Sequence, residues 1–407
     1  MRYYLTILWV TVSYTLFGQQ TVIPIFDTVA VTFDVWDEPY RLRSAILDSV
    51  GEGPASTFAG FYLSFSGYSM EATKMLERDD PKTELQRDRY RRFSEDYRAV
   101  PAVASILNIA EQHEIVIVNE AHHEPRHRVF TRQLLRGLYD RGYRHFGLES
   151  LVQNAGSDSL VDQSAYPGLN SGYFTREPQF AAMVAEAQRI GYRVFGYEAA
   201  GTSNPRQREI GQTRNIVDYR AAHPGGKLLL HVGYSHATEG DYGGDWEKAM
   251  AQRLADTTGL DPLTVNQTTF REMSDSTKEQ HEYRDFAPRQ SAVYVDDAGD
   301  PFNFDNDVRW YNRYVFHPRT TYRYGRPDYA FAFGQQAVLV DFSHIDTEGP
   351  WLVRAYGRGD EMATTVPRDV VEMDAQARTA LALAPGKYRI LSVSGDGKQR
   401  VAVITVK

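Results

Sequence analysis

Four β-branched residues in a row, Ile115 to Val118, run into Asn119-Glu120-Ala121-His122-His123-Glu124. Pro125 then opens a stretch with apolar residues at Phe130, Leu134, Leu135 and Leu138. A short apolar run without alternation predicts a strand buried on both faces, as in a parallel sheet with helices on each side. Proline in a first turn followed by apolar spacings of three and four predicts a helix over 125–141. The rhythm then repeats. Strands are expected at 144–149, 192–198 and 227–233, with helices around 179–190 and 206–221. Strand alternating with helix implies a mostly parallel sheet with right-handed crossovers.

Upstream, Leu85, Tyr90, Phe93 and Tyr97, then Val103, Ile106, Leu107 and Ile109, predict helices separated by a break at Pro101. Ser69–Glu77 reads as a short helix with Ser69 as its cap. From Ser291 the pattern changes to short strands between turns, at 337–342, 351–356, 386–393 and 400–406, with Gly395-Asp396-Gly397 as a hairpin signal. The expected fold class is therefore α/β, a mostly parallel sheet flanked by helices, followed by a small antiparallel β-sandwich-like domain. The expected division is 1–18 signal peptide, 19–95 a partly helical N-terminal segment, 96–290 the α/β domain with a lid insertion, 291–333 a linking and docking segment, and 334–407 the β-domain. The lid corresponds to 156–176, rich in Ser, Gly, Asp and Asn. His317-Pro318-Arg319 and Gly325-Arg326-Pro327-Asp328 mark the docking segment.

Composition narrows the function classes. A chain of 407 residues with a formal charge of −8 lacks a broad basic footprint, so nucleic acid is not an expected partner. Arg87, Arg89, Arg91 and Arg92 read as a solvated helix face. Cysteine is absent, which excludes disulfides, thiolate metal sites, a cysteine nucleophile and a lipid-modified N-terminal cysteine. Arg2 precedes an apolar run, Leu5 to Phe17, with small Gly18 after it. That pattern predicts a secretory signal and a periplasmic or secreted protein of a Gram-negative type, with no integral membrane span after cleavage.

The chemistry is expected at the strand ends. Glu120, Glu149 and Glu198 each close a predicted strand, and the fourth strand leads into Tyr234-Ser235-His236. Parallel neighbours present their carboxyl ends to one crevice, so these side chains are predicted to converge there. A carboxylate directly after an apolar strand is costly to desolvate unless it is paired or used.

Asn119-Glu120-Ala121-His122-His123, Arg132 on the following helix, the strand ending in Glu149 and the loop carrying His236 resemble the superfamily that joins erythromycin esterase-like hydrolases, ChaN-type haem-binding proteins and Tiki-type proteases. The resemblance covers about residues 100–240. In the esterase-like branch a Glu-x-x-His loop is followed nine positions later by an arginine, which places Glu120, His123 and Arg132 in those roles. Glu149 and Gly233-Tyr234-Ser235-His236 match the later strand end and loop histidine. His122 offers the Glu-x-His form of the ChaN-type branch, and Asn119 stands where the family has glycine.

The reading that follows is hydrolysis of an ester or related acyl bond in a small-molecule or peptide-like substrate by activated water. A histidine with an ordinary pKa near ~6.5 accepts a proton at neutral pH, and a carboxylate orients it. His123 is the expected base, with Glu120 or Glu149 holding its tautomer and His236 as a second acid/base or oxygen ligand. Arg132, with Arg128 on the same face, is expected to bind a carboxylate or oxyanion, and Glu198 and His122 to contact substrate. His127 and His231 are read as structural. A serine nucleophile at Ser235 lacks the full elbow motif, since Ala237 replaces the last glycine. No cofactor is required by this scheme. Two alternatives stay open: a divalent metal on His122, His123, Glu149 and His236, as the Tiki-type resemblance implies, and haem or iron binding without catalysis, as the ChaN-type resemblance implies.

Overall fold

The computed structural model describes residues 21–24, 39–50, 54–77, 81–82, 85–151, 166–199, 201–202, 204–304, 310–341, 349–373 and 379–407. The expected signal segment and residues 156–165 of the expected lid lie outside the described residues. No described helix is long and apolar enough to cross a membrane.

Six parallel strands form the central sheet, in the spatial order Arg193–Gly196, Tyr143–Leu148, Lys227–Gly233, Ile115–Glu120, Leu263–Asn266 and Arg313–Tyr314. The Ile115–Glu120 strand is buried at every position, which is why its sequence is continuous rather than alternating. One face packs against the helices Pro125–Asp140 and Pro178–Ile190 through Phe130, Leu134, Met183 and Val184, with Val116 and Phe146 from the sheet. The other packs Ile115, Ile117 and Leu230 with Ile216 of the helix Pro205–Ala222 and Leu254 of the helix Met250–Thr258. Sequence alternation between strand and helix thus becomes a three-layer α/β unit. Gly191, at φ +113, ends the Pro178–Ile190 helix in the left-handed conformation and turns the chain into its next strand.

The segment 291–333, expected as a linker, is largely part of this unit. Ala292–Val295 pairs antiparallel with Arg98–Pro101, and Arg313–Tyr314 is the sixth strand of the sheet. Both strands are too short to leave a periodic signature. Its last part does dock, through a buried ion pair of Arg326 with Asp369 at 2.8 Å. Pro101 ends a strand and starts the helix Ala102–Ala110. Ser69 is the first residue of the helix Ser69–Leu76 and makes no cap; its hydroxyl instead accepts from Tyr329. Arg89 departs from the solvated face of its helix, being buried against Glu282 at 2.6 Å.

Two sheets form the C-terminal part. Four antiparallel strands run Asp369–Met373, Trp351–Gly357, Gly386–Ser394, Gln399–Val406. The other sheet joins Gln336–Asp341 to Ala380–Leu383 and, in parallel, to Thr21–Pro24. Val338, Leu381 and Leu383 from one sheet share a core with Trp351, Val353 and Ile390 from the other, giving the sandwich. The hairpin at Gly395-Asp396-Gly397 forms as its sequence predicts.

Candidate functional site

The inserted position of the Lys227–Gly233 strand decides where the site lies. Glu120 is in register with Gly233, and Leu148, just before Glu149, with His231. Three adjacent strand ends are therefore level, with a glycine between two carboxylates. A cleft of about 670 Å³ opens over them, lined by His122, Glu149, Phe174, Glu198, Arg208, Tyr234, His236 and Trp246, among others.

Gly233 is the point of closest approach. Its N–H donates to Glu149 Oε2. A Cβ there would lie 2.5 Å from His122 Nε2 and 3.0 Å from Glu149 Oε2, so the imidazole and the carboxylate converge over bare backbone. Gly233→Ala is expected to displace the His122 ring, cut any turnover at least tenfold and cost about 1–3 kcal/mol by overpacking. Parallel rate and urea-unfolding measurements check this; an unchanged rate would refute the close-approach account.

Glu120 is the hub beneath the cleft. Its carboxylate accepts from Arg128 Nε and Nη2 at 2.7 and 3.0 Å and pairs with His122 Nδ1 and His231 Nε2, each at 2.9 Å. Burial alone would raise its pKa, but Arg128, His231 and His122 outweigh that and hold it well below the carboxylate range. An ionised Glu120 fixes the His122 proton on Nδ1 and leaves Nε2 as the basic nitrogen on the cleft side. Phe174 stacks on the same ring at 3.9 Å and 13°, and Tyr234 meets it edge-on at 5.2 Å.

Across the cleft stands a second histidine with two carboxylates. His236 Nδ1 lies 2.9 Å from Glu209, and its Nε2 lies 3.4 Å from Glu149 Oε1 and 2.9 Å from Arg208 Nη1. Guanidinium has no lone pair, so in the neutral ring Nε2 accepts in that last contact and the single ring proton faces Glu209. Burial opposes charge on His236, but Glu149 and Glu209 outweigh it and push its pKa up to about 9. In the charged ring the second proton is on Nε2, which faces Glu149 Oε1. Glu149, despite burial, is held well below the usual range by His236, His122 and Arg208.

A raised folded pKa has a definite sign. His236 stabilises the fold fully below its unfolded pKa of ~6.5, and this contribution is lost as pH rises through about 9. Urea midpoints between pH 6 and 10 should fall across that window. Glu209→Gln should flatten the fall, and an identical slope in the variant would remove His236 as its source.

The sequence-predicted residues separate into groups. Glu149, Glu198, His122 and His236 line the cleft, and Glu120 braces it. His123, the expected base, is turned away: it is 1% exposed and contacts Tyr234 Oη at 3.2 Å and Arg271 Nη1 at 3.3 Å. Arg128, expected to bind substrate, is instead wholly buried on Glu120 and Glu177 and does not line the cleft. Arg132 does not line the cleft; its guanidinium lies 4.0 Å over the Phe333 ring. His231 and His127 are buried in the support layer, as expected.

Arg208 and Glu209 were missed by sequence reasoning. Arg208 donates to both Glu149 and Glu198, and Glu209 also accepts from Met250 N at 2.7 Å. The available signal was the adjacent Arg208-Glu209 pair near the start of the helix that follows the Glu198 strand end.

No family model matches the chain. No curated protein matches it in sequence either. Among solved structures, the type III effector HopBA1 aligns at 10% identity and a TM-score of 0.34, over 55% of this chain and 97% of that one. RRSP, an effector domain of a MARTX toxin from Vibrio vulnificus CMCP6, aligns at 17% identity and TM-score 0.30, over 52% of this chain and 44% of that one. ChaN of Campylobacter jejuni, whose structure concerns cofacial haem binding, aligns at 8% identity and TM-score 0.28, over 55% and 98%. Likeness this distant assigns no residue and no activity.

The four residues proposed as metal ligands are not gathered, because His123 faces away. Among the described residues no group of three or more His, Asp or Glu side chains is arranged to hold a metal ion. The gap between Glu149 and Glu198 is already bridged by the Arg208 guanidinium.

Proposed function

We propose that this protein is an acyl hydrolase in which His122, oriented by Glu120, activates water for attack on an ester or related acyl carbonyl. The observation that carries this reading is the His122 ring itself. Its Nδ1 is tied to a buried carboxylate at 2.9 Å while its other edge faces an open cleft with a protonatable histidine opposite. That is the geometry of a general base paired with a general acid.

In this scheme water loses a proton to His122 Nε2 as its oxygen bonds to the carbonyl carbon. The imidazolium that forms is stabilised by Glu120. Collapse of the tetrahedral adduct breaks the bond to the leaving group, which takes the proton from His236 Nε2. Arg208, 34% exposed at its side chain, is the cation available to a negative group on the substrate. Each step is assigned to side chains of this chain. Following the Leu5–Phe17 pattern, the proposed hydrolase acts in the periplasm or outside the cell.

The test uses the mature chain from about Gln19 with 4-nitrophenyl esters of short and aromatic acids and a peptide panel. Turnover lost in both His122→Ala and His236→Ala supports the assignment. Equal rates in wild type and His122→Ala on every substrate would overturn it.

A further inference from the structure

We propose that Tyr234 is a further substrate-contacting residue of this site: its hydroxyl, aimed by His123 and Arg271, donates a hydrogen bond to the carbonyl oxygen of the bound acyl group. The inference rests on the hydrolase reading and gives a role to the histidine that the cleft excludes.

The direction of every proton follows from the donor inventory. Arg271 has only donors, so at 3.3 Å its Nη1 makes His123 Nε2 an acceptor. Burial, with Arg271 adding to it, lowers the His123 pKa well below the ordinary value, so the ring is neutral and carries one proton. That proton is on Nδ1, 3.2 Å from Tyr234 Oη, and is donated to the phenol oxygen. Burial pushes the phenol up to about 12 against the pull of Arg271, so it keeps its hydrogen at neutral pH. His123 thus donates to the oxygen, and no hydrogen bond from the O–H to an acceptor is formed among the described residues.

Placement agrees with this use. Tyr234 directly follows Gly233, lines the cleft edge-on to His122 and is 39% exposed. Its φ of +41° is a conformation that side-chain-bearing residues rarely adopt, and Asn119 Nδ2 holds its carbonyl at 2.7 Å. The left-handed turn brings the Tyr234 ring to the cleft beside His122, so that a turn of its O–H away from His123 reaches the place where, in the proposed reaction, charge develops on a carbonyl oxygen under attack. His123 acts through Tyr234 and is a positioning residue.

The experiment measures kcat and KM for 4-nitrophenyl butyrate on the mature chain, beside a titration with butyrate, the product acid, followed by the 13Cζ resonance of Tyr234. Tyr234→Phe should lower kcat on the order of 10²-fold with little change in KM, the loss typical of one oxyanion donor. His123→Ala should cost about tenfold, and His123→Asn, whose amide nitrogen replaces Nδ1–H, should restore most of it. The double variant Tyr234→Phe/His123→Ala should be no worse than Tyr234→Phe alone. Full activity in Tyr234→Phe, or additive losses, would overturn the proposal. The butyrate titration separates the two readings. A shifted resonance with turnover indifferent to His122→Ala sinks the hydrolase reading alone, whereas His122-dependent turnover with an unmoved resonance sinks the Tyr234 contact.

Discussion

Arg128→Ala is expected to destabilise the fold by about 3–5 kcal/mol, the range for removing one partner of a buried ion pair. Arg128 is fully buried, and its guanidinium serves Glu120, Glu177 and the carbonyl of His122 at once, at 2.6 to 3.0 Å. Without it two carboxylates stay in the core. Glu177 cannot simply leave, because it caps the Pro178–Ile190 helix by accepting from Phe180 N at 2.8 Å. Its pKa is already raised by burial, with Arg128 pulling the other way, so the variant should take up a proton there. Glu120, whose folded pKa is depressed, contributes stability above its unfolded pKa that is lost as pH falls. The gap between wild type and variant should therefore narrow toward acid. Urea unfolding at pH 7 and pH 4.5 tests both statements, and a loss under about 1 kcal/mol at pH 7 would contradict the pairing described.

His122→Ala should reduce kcat by about 10²–10⁴-fold, the contribution of a positioned general base. Glu120→Gln should fall in the same direction, since a neutral amide no longer stabilises the imidazolium. His123→Ala, by contrast, should lose only about tenfold, as an indirect effect through Tyr234. Measured side by side on one 4-nitrophenyl ester, the order His122 far above His123 is the prediction. The reverse order would return the base to His123 and overturn the reading of the cleft.

The sheet was legible because burial on both faces leaves an unmistakable run, as at Ile115–Val118 and Leu228–Val232. The convergence of Glu120, Glu149, Glu198 and His236 followed from strand direction alone. What sequence spacing cannot resolve is which way two adjacent loop histidines point. His122 and His123 differ only in tertiary partners: a carboxylate and a phenyl ring for one, a phenol and a guanidinium for the other. Arg132 stood out by its spacing from His123, yet helix geometry carries it away from the strand ends to Phe333. Arg208 was hard to single out because its helix has a polar surface like any solvated one, and its only signal was its place beside Glu209 shortly after the Glu198 strand end. The Arg313–Tyr314 strand, two residues long, carries no periodicity at all.

Phe174, which lies flat on the His122 ring, is itself wedged by residues that belong to neither the sheet nor its covering helices. Phe61 of the helix Pro54–Phe65 meets it edge-on at 5.0 Å, and Leu352 and Val370 of the β-sandwich complete the same apolar cluster. Leu169 in that connection also donates its N–H to the carbonyl of Thr364. The ring that backs His122 is thus held by three distant stretches of chain, lying early, midway and late along the polypeptide. An excised α/β unit would keep its acidic strand ends but lose the vice behind the His122 ring, so the proposed hydrolysis would be a property of the whole assembly and would not be portable with the sheet.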